Sequence, residues 1–499
     1  MEYIEDFLNS ITMYRLVLYV LTCYLVVALV LSFFNLLPFS SIDLLISSGI
    51  LIVVCGITNK FFAKIFKASS NVESIFITAF ILSLIITPAR NFNEAIFLSL
   101  VAVLSQGSKY IFAINRKHIF NPAALAIFTS FMIFKFGASW WVGNIYLFPF
   151  VFLGGLLILK KIRRFRMSTI FILTSILIPI GIYYFLKLTN QPVDPFFLND
   201  FFKYLPESPI FFFAFIMLTE PQTSPNKGNF QLIYAVLVAA LFYIWGFLPV
   251  TIYYPLELSI LFGNIFSYLV SPKEKLVLGL KEKTKIAQDI YEFAFSGELK
   301  FLPGQYLEWT LGQKKPDSRG NRRYFTIASS PTEQQLKIGV KSYPNGSSFK
   351  KALLGLQEGD QIVASQLSGE FILPQDSTRK LVFLAGGIGI TPFRSIIKFL
   401  LDTNQKRDII LLYSNKIESD IVYKDIFDEA SKKLGTKVVY VNTDTAGYID
   451  EKMIKQEVPD FKERIFYISG PHSMVDAFEK TLKKMGVKKI KVDFFPGYA

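Results

Sequence analysis

The hydrophobic pattern changes character once along this chain. Up to about Ser271, ten apolar stretches recur with little between them, near 13–37, 44–57, 74–87, 95–112, 120–136, 145–159, 169–186, 209–218, 231–250 and 255–270. Several are shorter than the roughly 20 residues that a simple membrane-spanning helix needs. Short segments interrupted by Gly, Pro and polar residues point to half-spanning helices around an internal site. From Lys273 onward the runs shorten to strand length, at 276–280, 290–295 and 307–311, the last opened by Pro303-Gly304-Gln305-Tyr306. A continuous apolar strand, Lys380 to Ala385, then leads into a glycine turn. Further strands at 409–413, 438–441, 465–468 and 490–492 alternate with helical patterns, as a doubly wound sheet requires. The pattern predicts a multidomain chain: an α-helical polytopic membrane domain of about ten helices over 1–272, an antiparallel β-barrel over 273–376, and an α/β parallel-sheet nucleotide-binding domain over 377–499.

Composition agrees with that split. At 52% apolar residues and a mean hydropathy of +0.40, the chain is too apolar on average to be soluble throughout. The net charge of +14 does not indicate nucleic acid, because no nucleic-acid-binding module accompanies it. Many of the cations lie in short loops between apolar runs. With the N-terminus inside, Lys60, Lys64 and Lys67, then Arg116 and Lys117, then Lys160, Lys161, Arg163, Arg164 and Arg166, then Lys227, Lys273 and Lys275 fall on one side. The other side receives mainly Arg90 and Lys203, together with Trp140, Trp141 and the acids Asp194, Asp200 and Glu207. An even number of spans returns the chain to the cytoplasm where the strand pattern begins. The acids at Glu2, Glu5 and Asp6 are not the basic start of a cleavable signal, so none is expected.

Scarce ligands exclude several redox centres. Cys23 and Cys55 cannot ligate an iron–sulfur cluster within one chain, and His118 and His472, far apart in sequence, do not pair for haem. No metal site is expected. An organic centre, flavin, is the remaining candidate for electron transfer.

Two polar motifs interrupt the apolar half. In Asn115-Arg116-Lys117-His118-Ile119-Phe120-Asn121-Pro122-Ala123-Ala124, Pro122 is placed to open a helix behind Asn121, leaving N–H groups suited to an anion such as a flavin phosphate. The second motif, Thr219-Glu220-Pro221-Gln222-Thr223-Ser224-Pro225, brings hydroxyls and a carboxylate to the end of a span. Each alone also reads as a capped helix end at the membrane surface. Together, in order and spacing, they resemble the family of flavin-carrying membrane proteins that the sodium-translocating NADH:quinone reductase and the Rnf complex have in common. That resemblance covers about 220 residues and implies a flavin-carrying electron conduit of about ten helices. The family's Ser-Gly-Ala-Thr flavinylation motif is absent, so the expected flavin, FMN or riboflavin, is noncovalent, near Arg116, Lys117, Asn121, Thr219 and Thr223.

In the polar half, Arg322-Arg323-Tyr324-Phe325-Thr326-Ile327-Ala328-Ser329-Ser330-Pro331 resembles the flavin motif of the ferredoxin-NADP reductase superfamily. The resemblance implies that Arg323 binds the FAD pyrophosphate, Phe325 packs on the isoalloxazine, Thr326 hydrogen-bonds near flavin N5, and Tyr324 stands in for the hydroxyl that Phe325 lacks. A guanidinium fork suits phosphate and a flat ring suits the flavin. A second phosphate cradle fits Lys341, Gly346, Ser347 and Ser348, ahead of a helix from Phe349 to Leu354. Gly386, Gly387 and Gly389 allow close approach of a pyrophosphate, with Thr391 as cap and Pro392 in the first helical turn. At Ser469-Gly470-Pro471-His472-Ser473-Met474 the superfamily has Cys-Gly-Pro, with the cysteine near the nicotinamide. Here Ser469 takes that place, with Gly470, Pro471 and Met474 around it. The ending Asp493-Phe494-Phe495-Pro496-Gly497-Tyr498 resembles C-termini whose aromatic and acidic residues cover the flavin, which gives Phe494 either a catalytic or a packing role. Tyr413, followed by Ser414-Asn415-Lys416, Glu418 and Asp420, is placed near the adenosine ribose, and the two acids favour NADH over NADPH.

The expected activity is NAD(P)H-dependent flavoprotein oxidoreduction. The chain sits in the lipid bilayer of the cell membrane with its reductase half in the cytoplasm, and sends electrons toward quinone, an extracytoplasmic acceptor or electron-transfer partner proteins. The alternatives are a membrane-anchored flavin reductase for a soluble carrier, or redox-linked transport of an ion or flavin. A mere anchor needs one or two helices, which argues against the first.

Overall fold

The computed structural model describes residues 7–8, 11–66, 72–114, 117–135, 137–226, 228–247, 253–271, 275–313, 317, 319–343 and 346–493. The chain divides into two compact units, Met1–Glu274 and Lys275–Ala499.

The first unit is helical. Its longer helices are α1 Met13–Phe33, α2 Ser41–Ile65, α3 Val72–Ile85, α4 Phe92–Ile111, α5 Pro122–Phe134, α6 Phe148–Ile162 and α7 Phe165–Leu188, followed by α8 Gly228–Ile244 and α9 Pro255–Val270. Among the described residues, three of these, α1, α2 and α7, are long and apolar enough to cross a membrane. The expected ten spans are not reached. The stretch at 209–218, for example, is a short helix Ile210–Phe212 that widens into a π-turn, Phe213–Met217. Polarity in this unit runs opposite to that of a water-soluble bundle. Leu177 and Leu188 are 62% and 82% exposed, whereas Ser105, Gln106, Ser130, Ser168 and Ser175 are fully buried between helices. Small polar residues between helices and apolar ones outside suit a lipid surround.

The second unit holds two sheets. The strands β1 Lys275–Ala287, β2 Ile290–Ser296, β3 Tyr306–Thr310, β4 Arg322–Thr326, β5 Leu336–Lys341 and β6 Gln361–Ser368 form an antiparallel sheet in the order β4-β3-β6-β1-β2-β5. Its core gathers Phe293, Phe295, Trp309, Phe325 and Phe349. The expected barrel is thus an open six-stranded sheet, with β4 and β5 at its edges. Beyond the end of β4 the edges are tied by Ala328 N–H donating to Lys337 O at 2.7 Å.

Five strands, β7 Leu381–Gly386, β8 Ile409–Asn415, β9 Lys437–Asn442, β10 Ile465–Ser469 and β11 Ile490–Val492, form a parallel sheet ordered β9-β8-β7-β10-β11. Helices α11 Thr391–Asp402, α12 Lys424–Leu434 and α13 His472–Lys484 accompany it, while α10 Ser348–Leu354 belongs to the first sheet. The order reverses between β7 and β10, the switch point at which such sheets take ligands. There the turns after the two strands nearly touch. A side chain on Gly389 would start 2.5 Å from Gly470 N, Gly470 Cα and Ser469 O, so this glycine answers to the neighbouring backbone. Gly389→Ala is expected to cost about 1–3 kcal/mol through overpacking, seen as a lower denaturant midpoint with an unchanged m-value.

Candidate active site

The switch point unites two motifs that lie far apart in sequence. Thr326 ends β4 of the antiparallel sheet, and Ser469 ends β10 of the parallel sheet. Both hydroxyls donate to Asp493 Oδ2, at 3.3 Å from Thr326 Oγ1 and 3.0 Å from Ser469 Oγ. Asp493 follows β11 and is held by its own N–H donating to Ile468 O at 2.9 Å. Burial pushes its carboxyl up to about 7, against the two hydroxyl donors, which pull it down. Asp493 Oδ1 is buried with no hydrogen-bond partner, an orphan acceptor facing the same junction. Phe494, to which the sequence pattern gave the role at this end of the chain, lies outside the described residues, as does Arg116.

Around this centre the expected cofactor residues divide. Arg323 is 1% exposed; its Nη1 donates to Arg319 O at 2.9 Å and to Arg322 O at 2.6 Å, and its guanidinium lies 5.3 Å from the Phe349 ring centroid. Lys350 completes a cationic group. Burial and then the charges of Arg323 and Arg319 bring its amine down to about 8. Arg323 and Lys350 repel one another in a partly buried place, which suits a polyanion, while Arg319 is paired with Asp317 at 2.8 Å. Ser347 Oγ, expected to donate there, instead accepts from Lys350 N at 3.2 Å as the cap of α10, and Ser348 exchanges two 2.9 Å hydrogen bonds with Asp317. Gly346 precedes them, its N–H turned to Tyr343 O at 2.8 Å.

Several expectations need correction. The Tyr324 hydroxyl, expected at the ribityl chain, has its donor engaged on buried Glu308 Oε2 at 2.7 Å. Phe325 is a core residue beside Phe349, centroids 6.1 Å apart and 7% exposed, which leaves little ring face for a flavin. Tyr413 is fully buried against Phe427 and accepts from Val422 N at 3.4 Å, so it is core rather than a nucleotide contact. Thr391 does not cap α11. It is the first helical residue, with its hydroxyl on Ile388 O at 3.3 Å and Pro392 next, and the helix start has no side-chain cap. Gly386 and Gly470 answer to Met474, whose Sδ and Cε fill the space a side chain would need, with Pro471 also close to Gly386. Gly387, with φ +51 and nothing within 4 Å of the place a methyl group would take, is the open glycine of the turn. Lys341 pairs with Asp420 at 3.3 Å and Lys424 with Glu418 at 3.5 Å. Both acids expected near the adenosine ribose are thus partnered by lysines, Glu418 at the exposed surface.

In the first unit the two motifs do converge. A cavity of about 80 Å³ is lined by His118, Asn121, Thr219, Glu220 and Gln222 on its polar side and by Ile77, Ile158 and Phe215 on its apolar side. Glu220 Oε2 accepts from Asn121 Nδ2 at 2.9 Å and Thr223 Oγ1 at 3.1 Å, and His118 Nε2 lies 3.8 Å from Oε1. Thr219 donates back to Phe215 O at 2.6 Å. Among the described residues, two features weigh against the expected phosphate site. Asn121 Oδ1 itself caps Ala124 N at 3.1 Å, while Asn121 N donates to Asn264 Oδ1 at 2.8 Å, so two donors are already taken. A carboxylate at the centre also repels an anion. The cavity is smaller than the roughly 150 Å³ that holds one aromatic ring, so a three-ring flavin does not fit it as it stands.

Sequence patterns pass over Glu308 and Arg394, and name Asp493 only as part of the C-terminal motif. Arg394 does carry a signal: an arginine and Ser395 sit among the apolar positions Phe393, Ile396 and Ile397 of one helix.

Comparison with known proteins bears on the second unit. The family described as Oxidoreductase NAD-binding domain matches residues 383–480, from β7 into α13. The C-terminal unit is an oxidoreductase module with an NAD-binding domain. Flavohemoprotein A of Dictyostelium discoideum is 25% identical over 205 residues, 39% of this chain and 52% of that protein. NADPH oxidoreductase of Mycobacterium tuberculosis is 26% identical over 216 residues, 42% and 56% of the respective chains. NADH-cytochrome b5 reductase 1 of Ajellomyces capsulatus is 28% identical over 251 residues, 46% and 81%. The chain spans about half the length of the first curated relatives it matches. A solved Amycolatopsis cytochrome P450 reductase is 25% identical with a TM-score of 0.41, covering 45% of this chain and 70% of that one.

The module's cationic group makes a specific expectation. With Lys350 near 8, adding a dinucleotide pyrophosphate to the cofactor-free chain restores its proton, so binding takes up protons between about pH 8 and 10 and none at pH 6. Titration calorimetry in two buffers of different ionisation enthalpy reads this uptake, and Lys350→Met removes it.

Proposed function

We propose that the chain is a membrane-bound NAD(P)H-dependent flavin oxidoreductase that carries FAD in its C-terminal unit and passes electrons into its helical unit, toward quinone or an acceptor on the far side. The observation that carries this reading is the junction of Thr326, Ser469 and Asp493, where the ends of the two sheets share one carboxylate oxygen. FAD fits the residues present: Arg323 and Lys350 form the polyanion site, and the orphan Asp493 Oδ1 leaves an acceptor at the opposite end. Held by these residues, FAD would supply the chemistry that links two-electron hydride transfer from a nicotinamide to release of single electrons.

The chain's own groups orient and set charge. Thr326 and Ser469 stay fixed by donating to Asp493, which holds their oxygens at the junction. Asp493 carries a proton below about pH 7 and is neutral there. Above pH 7 the same carboxyl is a buried anion beside the place that receives negative charge with the hydride, which disfavours transfer. Gly387 and the uncapped start of α11 leave backbone N–H groups for the nicotinamide dinucleotide.

The helical unit's resemblance to the membrane proteins of the sodium-translocating quinone reductase and the Rnf complex, with its three long apolar helices, supports a membrane location and an electron route. Glu220 at the cavity disfavours FMN, and a neutral flavin such as riboflavin enters only if the apolar wall parts. Partner proteins for the electrons belong to this same proposal.

Purified full-length chain is expected to contain noncovalent FAD and to oxidise NAD(P)H. Arg323→Ala should weaken FAD binding by about 1.5–3 kcal/mol; unchanged flavin content would sink the assignment. Flavin reduction should slow above pH 7, by up to about tenfold per pH unit. Asp493→Asn, which mimics the protonated acid, should keep the low-pH rate through pH 8.5 in stopped-flow absorbance. A wild-type rate that is flat across pH 7 rejects the role of Asp493.

A further inference from the structure

Helix α11 follows the glycine turn, so its position sets where a nicotinamide lies relative to Thr326. That helix is fixed to the segment just beyond Thr326 by polar contacts. Arg394, its side chain 5% exposed, forms a two-pronged pair with Glu333: Nη2 donates to Oε1 at 2.9 Å and Nη1 donates to Oε2. The same Nη1 donates to Ala328 O at 3.1 Å. Its neighbour Ser395, fully buried, donates from Oγ to Ser329 O at 2.6 Å. Glu333 is held in turn by Ser330 N at 2.7 Å. At one end of the helix, a side chain on Gly339 would start 2.8 Å from Thr391 Cγ2; at the other, Thr332 donates to Asp402.

A buried ion pair is a poor way to gain stability, since desolvation offsets most of the attraction, and apolar residues of equal volume often do as well. A fork-to-fork pair supplies direction, because both N–H···O bonds form at one relative placement of the helix and the turn that carries Glu333. We propose that Arg394, with Glu333 and Ser395, is a positioning residue that locks the nucleotide-bearing helix in register with Thr326 and so sets the hydride-transfer distance. This rests on the oxidoreductase reading above. Arg394 itself touches none of the junction residues Thr326, Ser469 and Asp493 through any of these bonds. Its effect passes through Ala328 and Ser329, two and three residues beyond Thr326.

The test uses the full-length chain with Arg394→Met, Arg394→Lys, Glu333→Gln and the Arg394→Met/Glu333→Gln double variant. Misplacement of reacting groups by about 1 Å costs on the order of a hundredfold in rate. Arg394→Met and Glu333→Gln are expected to lower the flavin-reduction rate constant by about ten- to a hundredfold, with NAD(P)H KM within about threefold and FAD content unchanged. The double variant should be no worse than either single one, and Arg394→Lys should recover part of the rate. Independently of turnover, hydrogen exchange in the cofactor-free chain should quicken in 391–402 and 328–333 for Arg394→Met, and less for Arg394→Lys. Variants that reduce flavin at the wild-type rate, or that lose rate only in proportion to FAD lost, overturn the positioning role while leaving the oxidoreductase reading intact. Failure of the wild-type chain to reduce flavin with either NADH or NADPH overturns both.

Discussion

One buried carboxylate oxygen, Asp493 Oδ2, accepts from both Thr326 and Ser469. Each hydroxyl ends a strand of a different sheet, and the acid arrives from beyond a third strand, so the junction exists only when both sheets are complete and docked. A carboxylate buried there without its donors would carry the full cost of desolvation. With two hydroxyl donors it rests instead at a pKa of about 7. Docking of the sheets and the charge of the site are therefore one physical problem, and Asp493 answers to both.

The same acid gives a reason for serine at position 469. A thiol is a weak hydrogen-bond donor, whereas a hydroxyl donates well to a carboxylate. Where the superfamily motif has cysteine, this chain has a stronger donor facing an acid that needs one. Close packing supports the arrangement from behind. Gly389 lies against Gly470 and Ser469 O, and Met474 fills the space beside Gly386, so the strand ends approach without side chains between them. The glycines thus serve protein packing first, and Gly387 is left open to a ligand.

How much of this was legible in the sequence followed the range of the interactions. Strand and helix positions in the second unit came from local periodicity and turn residues, and the parallel sheet from their alternation. The pairing of Thr326 with Ser469 was within reach because each sits in a local motif. Asp493 was read past in favour of Phe494, because nothing local marks an acid after a short final strand as buried. Tyr324, Phe325 and Tyr413 show a related limit of local reading: a motif gives a residue's place on a strand, while whether its face meets core or ligand depends on partners such as Glu308, Phe349 and Phe427. In the first unit, apolar runs do not by themselves distinguish a full helix from the short helix and π-turn at 210–217, and among the described residues three helices are long and apolar enough to span.

The first unit has its own constraint, the carboxylate of Glu220. In surroundings of apolar and small polar side chains it is stabilised by Asn121 and Thr223, with His118 nearby, rather than by an arginine or lysine fork. Such a group tolerates a neutral, donor-bearing neighbour and resists an anion. The helix start at Pro122, which in isolation looks ready for a phosphate, is closed by Asn121 on one side and Asn264 on the other. The contrast with the second unit is one of charge: the cations Arg323 and Lys350 gather there, and one acid with neutral donors lies here. A neutral ligand at this cavity would be held by hydrogen bonds and apolar contact, since the Glu220 carboxylate repels a phosphate.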